Sequence, residues 1–443
     1  MVKTPLAPPA LDSGNDLGEW LRRALAQGLA PWLASSQSEY RPWETFRFQS
    51  PPDGFTVEQW WHVVRAARVA SSRPIPTLTD KAGTPFSFNL PDAVLEACDG
   101  IAREASGQIH VSELVTDPDT RDRYAVNSLI EEAITSSQLE GAATSRRDAK
   151  EMIRAGRAPR DHSERMILNN YFAMERIREL SNHPLSPEVV KELHRIVTDG
   201  TLEHPEYAGR LQDDERMRFS VWGDVDQLLH RPPPVAELPA RLQALCDFAN
   251  GEGPSPYMPP VLRAITIHFM MGYDHYFEDG NGRTARALFY WSMLREGYWL
   301  TEYLSISRIL RKAPSKYAQS FLLSEDDGGD LTHFFIYHLE VIRRAIRELH
   351  DYLAQKAREM RNVQSRLKSL PGEFNHRQLA VLEHAARMPA AVFTAKSHGG
   401  SHRVTIETAR QDLQALESRG LLRRFKIGKE FAWSAVDGLT ERL

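Results

Sequence analysis

One short stretch, HYFEDGNGRTAR from His275 to Arg286, contains a histidine, two acids, a Gly-Asn-Gly turn and two arginines. The apolar spacing of RTARALFYWSML predicts a helix that begins at about Asn281, so the turn lies at a helix N-terminus. Free backbone N–H groups between glycines that tolerate unusual φ angles and close approach would form an anion site there. Phosphate is the ligand that we expect.

The charged side chains of this stretch have complementary uses around a bound phosphate. Arg283 and Arg286 are spaced i, i+3, so both guanidinium groups can reach the same helix end and bind phosphate oxygens. A carboxylate of Asp279 or Glu278 could bind Mg²⁺. Histidine titrates near neutral pH, which makes His275 a candidate general base for an incoming hydroxyl. A tight corner with solvated arginines is the alternative, but the conjunction of residues favours a functional site.

Mostly helical periodicity surrounds the stretch, so we expect a mainly α fold. Two exceptions are a short β-like patch near PFSFNL and the alternating segment GRLQDDERMRFSVWGDVDQLLHRPPP. The second predicts a small hairpin with a Gly-Asp turn at 223–224, ended by Pro232 to Pro234.

Length and composition set wider limits. A chain of 443 residues suggests roughly two to four domains. Cys98 and Cys246 lie far apart, which supports neither a disulfide framework nor a zinc site and favours a reducing, cytoplasmic setting. No apolar run is long enough to span a bilayer, so we expect no membrane association. The net charge of -4 gives no global polyanion-binding signal.

HYFEDGNGRTAR resembles the signature of the Fic family, His-x-Phe-x-Asp/Glu-Gly-Asn-Gly-Arg-x-x-Arg. Tyr276 stands where the family commonly has Pro, a change that could alter the stiffness of the loop. The predicted hairpin is placed like the family's flap, which pins a target side chain in extended form. TEYLSISRILRKAPSKYAQSFL is similar to the segment that follows the signature helix. The resemblance spans residues from about 115 to 350.

Fic proteins mostly transfer AMP from ATP to a Ser, Thr or Tyr hydroxyl of another protein. The resemblance implies that His275 deprotonates the target hydroxyl and that Asp279 holds Mg²⁺ at the α- and β-phosphates. It further assigns the α- and β-phosphates to Gly280, Asn281 and Gly282, and the β- and γ-phosphates to Arg283 and Arg286. Tyr317 either flanks the adenine, as an aromatic residue does in the family, or is an ordinary core tyrosine.

A second motif, Ser136-x-x-x-Glu140-Gly141, resembles the inhibitory motif of the same family. Positions i and i+4 share one helix face, so Ser136 can reach the anion site while Glu140 faces the arginines. Pairing of Glu140 with Arg286 would withhold that arginine from the γ-phosphate. This predicts a class II Fic protein, inhibited within the chain or through a homodimer. The alternative is a helix end with a chance acid before a capping glycine.

The C-terminal segment predicts a winged helix-turn-helix domain. Its pattern gives helices in NHRQLAVLEHAARM, AAVFTAKSHGG and TIETARQDLQALESRG, followed by a hairpin in LLRRFKIGKEFAW with Gly428 at its tip. The third helix, Thr405 to Arg419, would offer side chains to a DNA groove. Residues 370–443 contain eleven Lys/Arg and eight Asp/Glu, a net charge of +3. This bias is compatible with DNA, although many winged helices bind proteins instead.

These patterns divide the chain into four parts. Residues 1–115 form an N-terminal arm, loosely ordered to about 55, and a helical Fic-associated region. Residues 116–350 form the catalytic core with the inhibitory helix at about 122–141. Residues 351–372 are a linker, and residues 373–443 form the winged helix domain.

Three functions remain open at this point. The first is an autoinhibited protein adenylyltransferase that uses ATP and Mg²⁺ and modifies a protein target, which could include itself. The second is a DNA-binding regulator whose Fic body senses nucleotide. The third is a Fic enzyme that mainly removes AMP or that transfers another phosphate-containing group.

Overall fold

The computed structural model describes residues 5–11, 16–29, 39–106, 118–215, 221–222, 228–368, 373–387, 391–427 and 430–442. The described residues divide into two compact units, one of those from 5 to 349 and the other of those from 350 to 442. The fold is mainly α-helical with small sheets, as predicted. The Gly-Asp turn at 223–224 and the hairpin tip at Gly428 lie outside the described residues.

Helices make up most of the first unit. In chain order they are α1 (Leu17–Ala26), α2 (Trp43–Phe46), α3 (Val57–Ser71), α4 (Asp92–Ser106), α5 (Pro118–Leu139), α6 (Arg146–Ala155), α7 (His162–Leu180), α8 (Pro187–Thr198), α9 (Leu238–Asn250), α10 (Pro260–Asp274), α11 (Asn281–Arg295), α12 (Ile306–Lys312), α13 (Pro314–Asp326) and α14 (Thr332–Lys368). Local signals fix several boundaries: Ser186 caps α8 by accepting from the Val189 amide, and Gly251 ends α9 in the left-handed conformation.

Two antiparallel hairpins accompany these helices. Strands β1 (Arg73–Thr79) and β2 (Pro85–Phe88) pair around the PFSFNL patch. Strands β3 (Val221–Trp222) and β4 (Leu228–His230) pair with Val221 opposite His230. The second hairpin is the predicted one, and we refer to residues 221–230 as the flap.

The N-terminal residues are tied into a local core. Trp20 and Trp43 are buried and pack with Trp60 and Trp61 of α3, together with Phe46 and Phe55. These aromatic side chains explain why tryptophans are scattered through the predicted arm: each of the two fills a pocket against α3 rather than lying on a loose surface. Trp32 lies outside the described residues.

Helices α10 and α11 form the centre of the first unit and pack against each other. Both are buried around nearly their whole circumference, as Ile265, Phe269, Leu288 and Trp291 illustrate, and α11 also buries polar side chains such as that of Arg286. The turn that joins these two helices is the HYFEDG loop, so both of its ends are anchored in the buried centre of the unit.

The second unit continues from the C-terminal part of α14. No glycine or proline interrupts the sequence between Thr332 and Lys368, and residues 351–368, predicted as linker, extend the helix. Beyond it lie α15 (His376–Arg387), β5 (Val392–Thr394), α16 (Ala395–His402), α17 (Ile406–Ser418), β6 (Leu422–Ile427), β7 (Glu430–Ala435) and α18 (Leu439–Arg442).

The three strands of this unit form one antiparallel sheet in the order β5-β7-β6. Trp433 on β7 packs with Leu413 and Leu416 of α17 and with Leu382 of α15, and all four are buried. Thr405 caps α17 by accepting from the Thr408 amide. The unit therefore has its own hydrophobic core.

Among the described residues, no helix combines the length and the apolar character that a membrane crossing requires. Cys98 and Cys246 are both buried free thiols. Burial raises the pKa of each thiol to about 12, so both behave as apolar packing groups.

Candidate active site

The site begins where α10 ends. His275 follows the last helical residue with φ 49° and ψ 59°, a left-handed conformation that is unusual for a residue with a side chain. Its amide still bonds the carbonyl oxygen of Met271 at 3.3 Å. The side chain is half-buried. This geometry turns the chain sharply and leaves the imidazole at the edge of the core.

Residues Tyr276 and Phe277 are held by side chains from both directions. The Asn281 side chain accepts from the Phe277 amide at 3.0 Å and donates to the Phe277 carbonyl at 2.7 Å. Gln212 donates its backbone N–H to the Tyr276 carbonyl and its side-chain N–H to the Phe277 carbonyl, at 3.0 and 2.6 Å. Asn281 also lies 3.3 Å from Nδ1 of His275. The structure thus gives Asn281, predicted to contact phosphate, a role in holding the loop.

His194 supports the same loop from α8. Its ring stacks on Phe277 with centroids 3.7 Å apart, and its Nε2 lies 2.8 Å from the Asp279 carbonyl oxygen. Nδ1 accepts from the Gly209 amide at 2.8 Å, which leaves the proton on Nε2. Burial lowers the pKa of His194 to about 4. This histidine is therefore a neutral structural group near pH 7.

Gly280 begins α11 in a conformation that glycine adopts most easily. Its φ is 81°, it is the N-cap residue, and no side chain caps the helix. A Cβ at this position would lie 2.6 Å from Cγ2 of Thr198, so both backbone and space require glycine. A helix start without a side-chain cap leaves backbone N–H groups that are suitable for binding an anion.

Arg283 is directed into the protein. Its guanidinium is fully buried, donates to the Val197 carbonyl at 2.7 Å and pairs with Asp279 at 3.2 Å. Burial lowers the pKa of Arg283. Together these contacts connect α8, the loop and α11, so Arg283 lies behind the turn while also contributing positive charge to it.

The Arg286 guanidinium lies beside Gly282 and contacts Ser136 and Glu140 of the second motif. Its Nε donates to the Ser136 hydroxyl at 2.7 Å, and its Nη2 donates to the Ser136 carbonyl at 3.0 Å and to Glu140 Oε1 at 2.7 Å. The side chain of Arg286 is 2% exposed. Burial acts to lower the pKa of Arg286, but the Glu140 carboxylate and weaker contributions outweigh it and raise the pKa.

Glu140 also occupies space beside the glycine turn. Its Oε1 lies so close to Gly282 that a Cβ there would collide with it. Gly141 follows with φ 94°, and the amide of Ala142 bonds the Ser137 carbonyl at 3.0 Å, which closes the end of α5. A carboxylate thus rests against the predicted phosphate site, between Gly282 and Arg286.

A buried acid on α5, Glu132, was not predicted to contribute to the site. Glu132 is 1% exposed and accepts from the Ser305 hydroxyl at 2.9 Å, the Ser307 amide at 3.1 Å and the Ser307 hydroxyl. Burial raises the pKa of Glu132, while these hydrogen bonds and Arg286 oppose the shift. Two further contacts join the same segments, Thr135 with Ser305 and Ser128 with the Tyr303 carbonyl.

Tyr317, predicted either to flank adenine or to belong to the core, is half-buried. Its hydroxyl bonds Nε2 of His268 at 2.7 Å and also interacts with Arg286. His268 is fully buried, as expected for a core histidine. The structure therefore brings Tyr317 next to Arg286.

Asp279 is the site residue with the most solvent access, with a side chain that is 59% exposed. One of its oxygens pairs with Arg283, and the carboxylate lies directly before the open helix end. An exposed carboxylate beside a phosphate site is a suitable ligand for Mg²⁺, which prefers one or two carboxylates plus phosphate oxygens.

A different acidic group lies elsewhere in the described residues: Asp327, Asp330 and His333 have ligand atoms within 4.8 Å of one another. Protein partners already hold these atoms. Asp327 bonds Arg65 and His333, and Asp330 bonds Tyr40 and Thr332. We interpret this cluster as structural.

Residues 184–293 match the model of the Fic/DOC family, so this part of the chain is a Fic domain. The domain includes α8, the flap, α9, α10 and α11. A solved structure of a Fic family protein from Desulfovibrio desulfuricans shares the fold. It is 16% identical, with a TM-score of 0.50, and the similarity covers 79% of this chain and 98% of that chain.

Two curated relatives are named protein adenylyltransferases. The one from Caenorhabditis briggsae is 29% identical over 149 residues, which is 33% of this chain and 27% of that protein. The one from Nematostella vectensis is 26% identical over 163 residues, which is 37% of this chain and 33% of that protein. The chain thus spans about a third or less of the length of these relatives.

The sequence did not predict the roles of His194, Gln212 and Glu132. A weak signal existed for His194, which replaces an apolar residue on the buried face of α8 between Val190 and Val197. For Glu132 the adjacent Glu131 obscured which acid faces inward. Gln212 lies in a loop, where no periodicity applies.

Proposed function

We propose that this chain is a protein adenylyltransferase that transfers AMP from ATP to a hydroxyl side chain of a protein and that its own α5 inhibits it. The observation that carries the proposal is the arrangement around α11. Helix α11 starts without a side-chain cap, the exposed Asp279 and the half-buried His275 lie on the loop that leads into it, and the Arg286 guanidinium lies beside Gly282 in its first turn. The names of the curated relatives support the same activity.

The chemistry follows from these positions. The amides of Asn281, Gly282 and Arg283 bind phosphate oxygens, and the partial positive charge of the helix end stabilises the charge on the phosphates. Asp279 would hold Mg²⁺, which would neutralise phosphate charge. His275 accepts the proton of the target hydroxyl as its oxygen forms a bond to the α-phosphorus, and the bond to pyrophosphate breaks. Positioning and charge stabilisation account for the acceleration.

Glu140 supplies the inhibition. Arg286 is the nearest cation for the terminal phosphate of ATP, and Glu140 holds it at 2.7 Å while filling the space beside Gly282. A bound nucleotide must displace this carboxylate to pair with Arg286. Ser136, Glu140 and Arg286 make their contacts within one chain, so we propose that inhibition is intramolecular.

Labelled ATP tests the activity directly. Protein that carries Glu140→Gly is incubated with Mg²⁺ and ATP labelled at either the α- or the γ-phosphate, and transfer to the protein is followed on denaturing gels. Transfer from α-labelled ATP alone is expected. Transfer of the γ label would show a kinase-type reaction, and absence of both would contradict the proposal. Release of AMP from a labelled target on adding protein with Glu140 intact would identify the reverse activity instead.

A second candidate function concerns DNA binding by residues 373–443. Arg423, Arg424 and Lys426 lie exposed on β6, and Arg410 lies exposed on α17, where it pairs with Glu407 at 2.7 Å. These elements have the order of a winged helix, and their cations could contact phosphates. Binding of the full chain to duplex DNA should weaken with salt and with Arg423→Ala plus Lys426→Ala. The control, Arg344→Ala plus Arg347→Ala on α14, should have no effect.

A further inference from the structure

The two residues that flank His275 are bonded to each other. The hydroxyl of Tyr276 donates to Oδ2 of Asp274 at 2.6 Å, and both side chains are fully buried. The hydrogen bond therefore connects the residue before His275 to the residue after it. Such a link restricts the backbone angles of the residue between them, because those angles set the separation of the two side chains.

The residue between them, His275, has a backbone conformation that must be held by its surroundings. His275 has a φ of 49°, one of three positive φ values among non-glycine residues in the described part of the chain. A left-handed conformation is unfavourable for a residue with a side chain, because its Cβ approaches the following carbonyl oxygen. Such conformations persist only where the surrounding structure imposes them, and they concentrate at functional sites.

Asp274 is itself firmly anchored. Its Oδ1 accepts from Nε and Nη2 of Arg241 on α9, at 2.8 and 2.7 Å. Arg241 also donates to the Thr79 carbonyl at the end of β1. An ionised pair inside a protein is held in one geometry because leaving either partner alone is costly. The phenol of Tyr276 therefore bonds to a fixed acceptor.

Tyr273, which precedes Asp274, is held by other elements. The Tyr273 hydroxyl accepts from the Lys81 amide at 3.1 Å, and the Tyr273 carbonyl lies 2.7 Å from Nε2 of His230 at the end of the flap. The backbone on the N-terminal side of His275 is thus fixed by β1–β2, the flap and α9. On its C-terminal side the Tyr276 side chain provides the matching restraint.

We propose that Tyr276 is a positioning residue and that its hydrogen bond to Asp274 holds His275 in the left-handed conformation from which the imidazole faces the phosphate site. A proline at position 276 would limit the backbone through its ring, which fixes φ near −65°. Tyrosine has no such ring constraint. In this chain the phenol and the carboxylate supply the rigidity through side-chain bonding.

The kinetic consequence rests on the proposed function. Tyr276→Phe removes one hydroxyl and leaves the Asp274–Arg241 pair in place. His275 then samples more orientations, so kcat for AMP transfer should fall about tenfold, because small misplacements of a catalytic group are costly. KM for ATP should stay within about twofold, since Tyr276 does not face the phosphate site.

A matched control is available at Tyr40. Its hydroxyl also donates to a buried aspartate, Asp330, in the first unit, and Asn89 bonds the same hydroxyl at 2.8 Å. Tyr40→Phe removes a similar bond outside the HYFEDG loop. Both substitutions are made in the Glu140→Gly protein, so that inhibition does not mask a change in rate. A loss of kcat with Tyr276→Phe and not with Tyr40→Phe supports the proposal.

Hydrogen exchange followed by mass spectrometry gives a readout that does not need activity. The amides of His275 and Phe277 are hydrogen-bonded to Met271 and Asn281. Exchange in a peptide covering 272–280 should accelerate about tenfold with Tyr276→Phe and stay unchanged with Tyr40→Phe. If the Glu140→Gly reference lacks transfer, the proposed function fails while exchange still tests the restraint. Unchanged exchange and unchanged kcat in Tyr276→Phe would overturn the inference.

Discussion

Glu140 and Arg286, separated by 146 positions in the chain, meet through a 2.7 Å contact between Oε1 and Nη2. Arg286 is almost completely buried, whereas the Glu140 side chain is 28% exposed. We therefore expect the Glu140 carboxylate, at the end of α5, to move away when the contact breaks. The Arg286 guanidinium would keep its position in the site.

Removal of the Glu140 side chain should activate the protein. In Glu140→Gly the Arg286 guanidinium is available to the terminal phosphate, so self-labelling with α-labelled ATP should rise by about 5- to 150-fold, the range of typical coupling energies. Glu140→Gln, which keeps the size but loses the charge, should give an intermediate rise. Equal labelling in all three proteins would exclude inhibition by this carboxylate.

The same substitution should lower stability when nucleotide is absent. Glu140→Gly leaves Arg286 buried with its two contacts to Ser136 but without the carboxylate that it contacts directly, and we expect a loss of about 1–3 kcal/mol, reduced from a fully buried pair because Glu140 is partly exposed. ATP supplies negative charge to the same arginine. Thermal unfolding should therefore show a larger ATP-dependent increase in Tm for Glu140→Gly than for the unchanged chain.

His275 should be required for transfer and not for binding. In the Glu140→Gly protein, His275→Ala should reduce kcat by about 10²- to 10⁴-fold, the usual contribution of a general base. Calorimetry should show ATP affinity within about threefold, because the phosphate contacts come from α11. His204→Ala, at an exposed histidine, is the control. Persistent transfer by the His275→Ala protein would assign the base to another group.

Replacement of glycine should be costly at Gly280, which precedes α11, and tolerated at Gly297, which follows α11 and has the same φ. Gly280 and Gly297 both have φ 81°, but a Cβ at Gly280 would meet Thr198, whereas nothing lies within 4 Å of a Cβ at Gly297. Gly297→Ala should cost about 1 kcal/mol from backbone strain alone. Gly280→Ala should cost more and should also abolish ATP binding, as chemical denaturation and calorimetry would show. Equal losses of unfolding free energy in the two variants would mean that the start of α11 shifts to accommodate the added methyl group.

Acid should destabilise the protein through its buried histidines. Burial lowers the pKa of His194 to about 4 and that of His338 to about 3, below the value near 6.5 in an unfolded chain. The unfolded state therefore binds more protons below pH 6.5, and stability present above that pH is lost as pH falls towards 4. Each histidine contributes up to about 1.4 kcal/mol per pH unit. The free energy of unfolding, measured by urea titration at pH 7, 6 and 5, should fall less steeply with decreasing pH in His338→Leu than in the unchanged chain.

Much of the site could be predicted from sequence because its residues are close together in the chain. The spacing from His275 to Arg286 places a base, an acid, a helix start and a cation within one turn and one helix, and the structure has α11 begin at Asn281 as expected. Ser136 and Glu140 were assigned to one helix face, and both contact Arg286.

The internal roles of several residues could not be predicted. The sequence places Arg283 and Arg286 on the same face of α11 and gives no reason to assign them different contacts. In the structure Arg283 donates to the Val197 carbonyl of α8, whereas Arg286 contacts Glu140. Asn281 resembles a ligand contact, but its amide bonds both polar groups of the Phe277 backbone. Such assignments depend on which chain segments lie behind the loop, and periodicity along one segment carries no information about that.

The contacts of Glu132 limit how α5 can move. Ser128, Glu132 and Thr135 hold three successive turns of this helix to residues 303–307, so sliding or swinging the helix would break all of those bonds together. Only the final turn, from Ser137 to Gly141, lies beyond them. Separation of Glu140 from Arg286 would then require opening of this one helix end, where the Ser137 hydroxyl also donates to the Met166 carbonyl and Gln138 accepts from Arg311. We expect such a switch to respond to whatever stabilises or loosens a single turn of backbone.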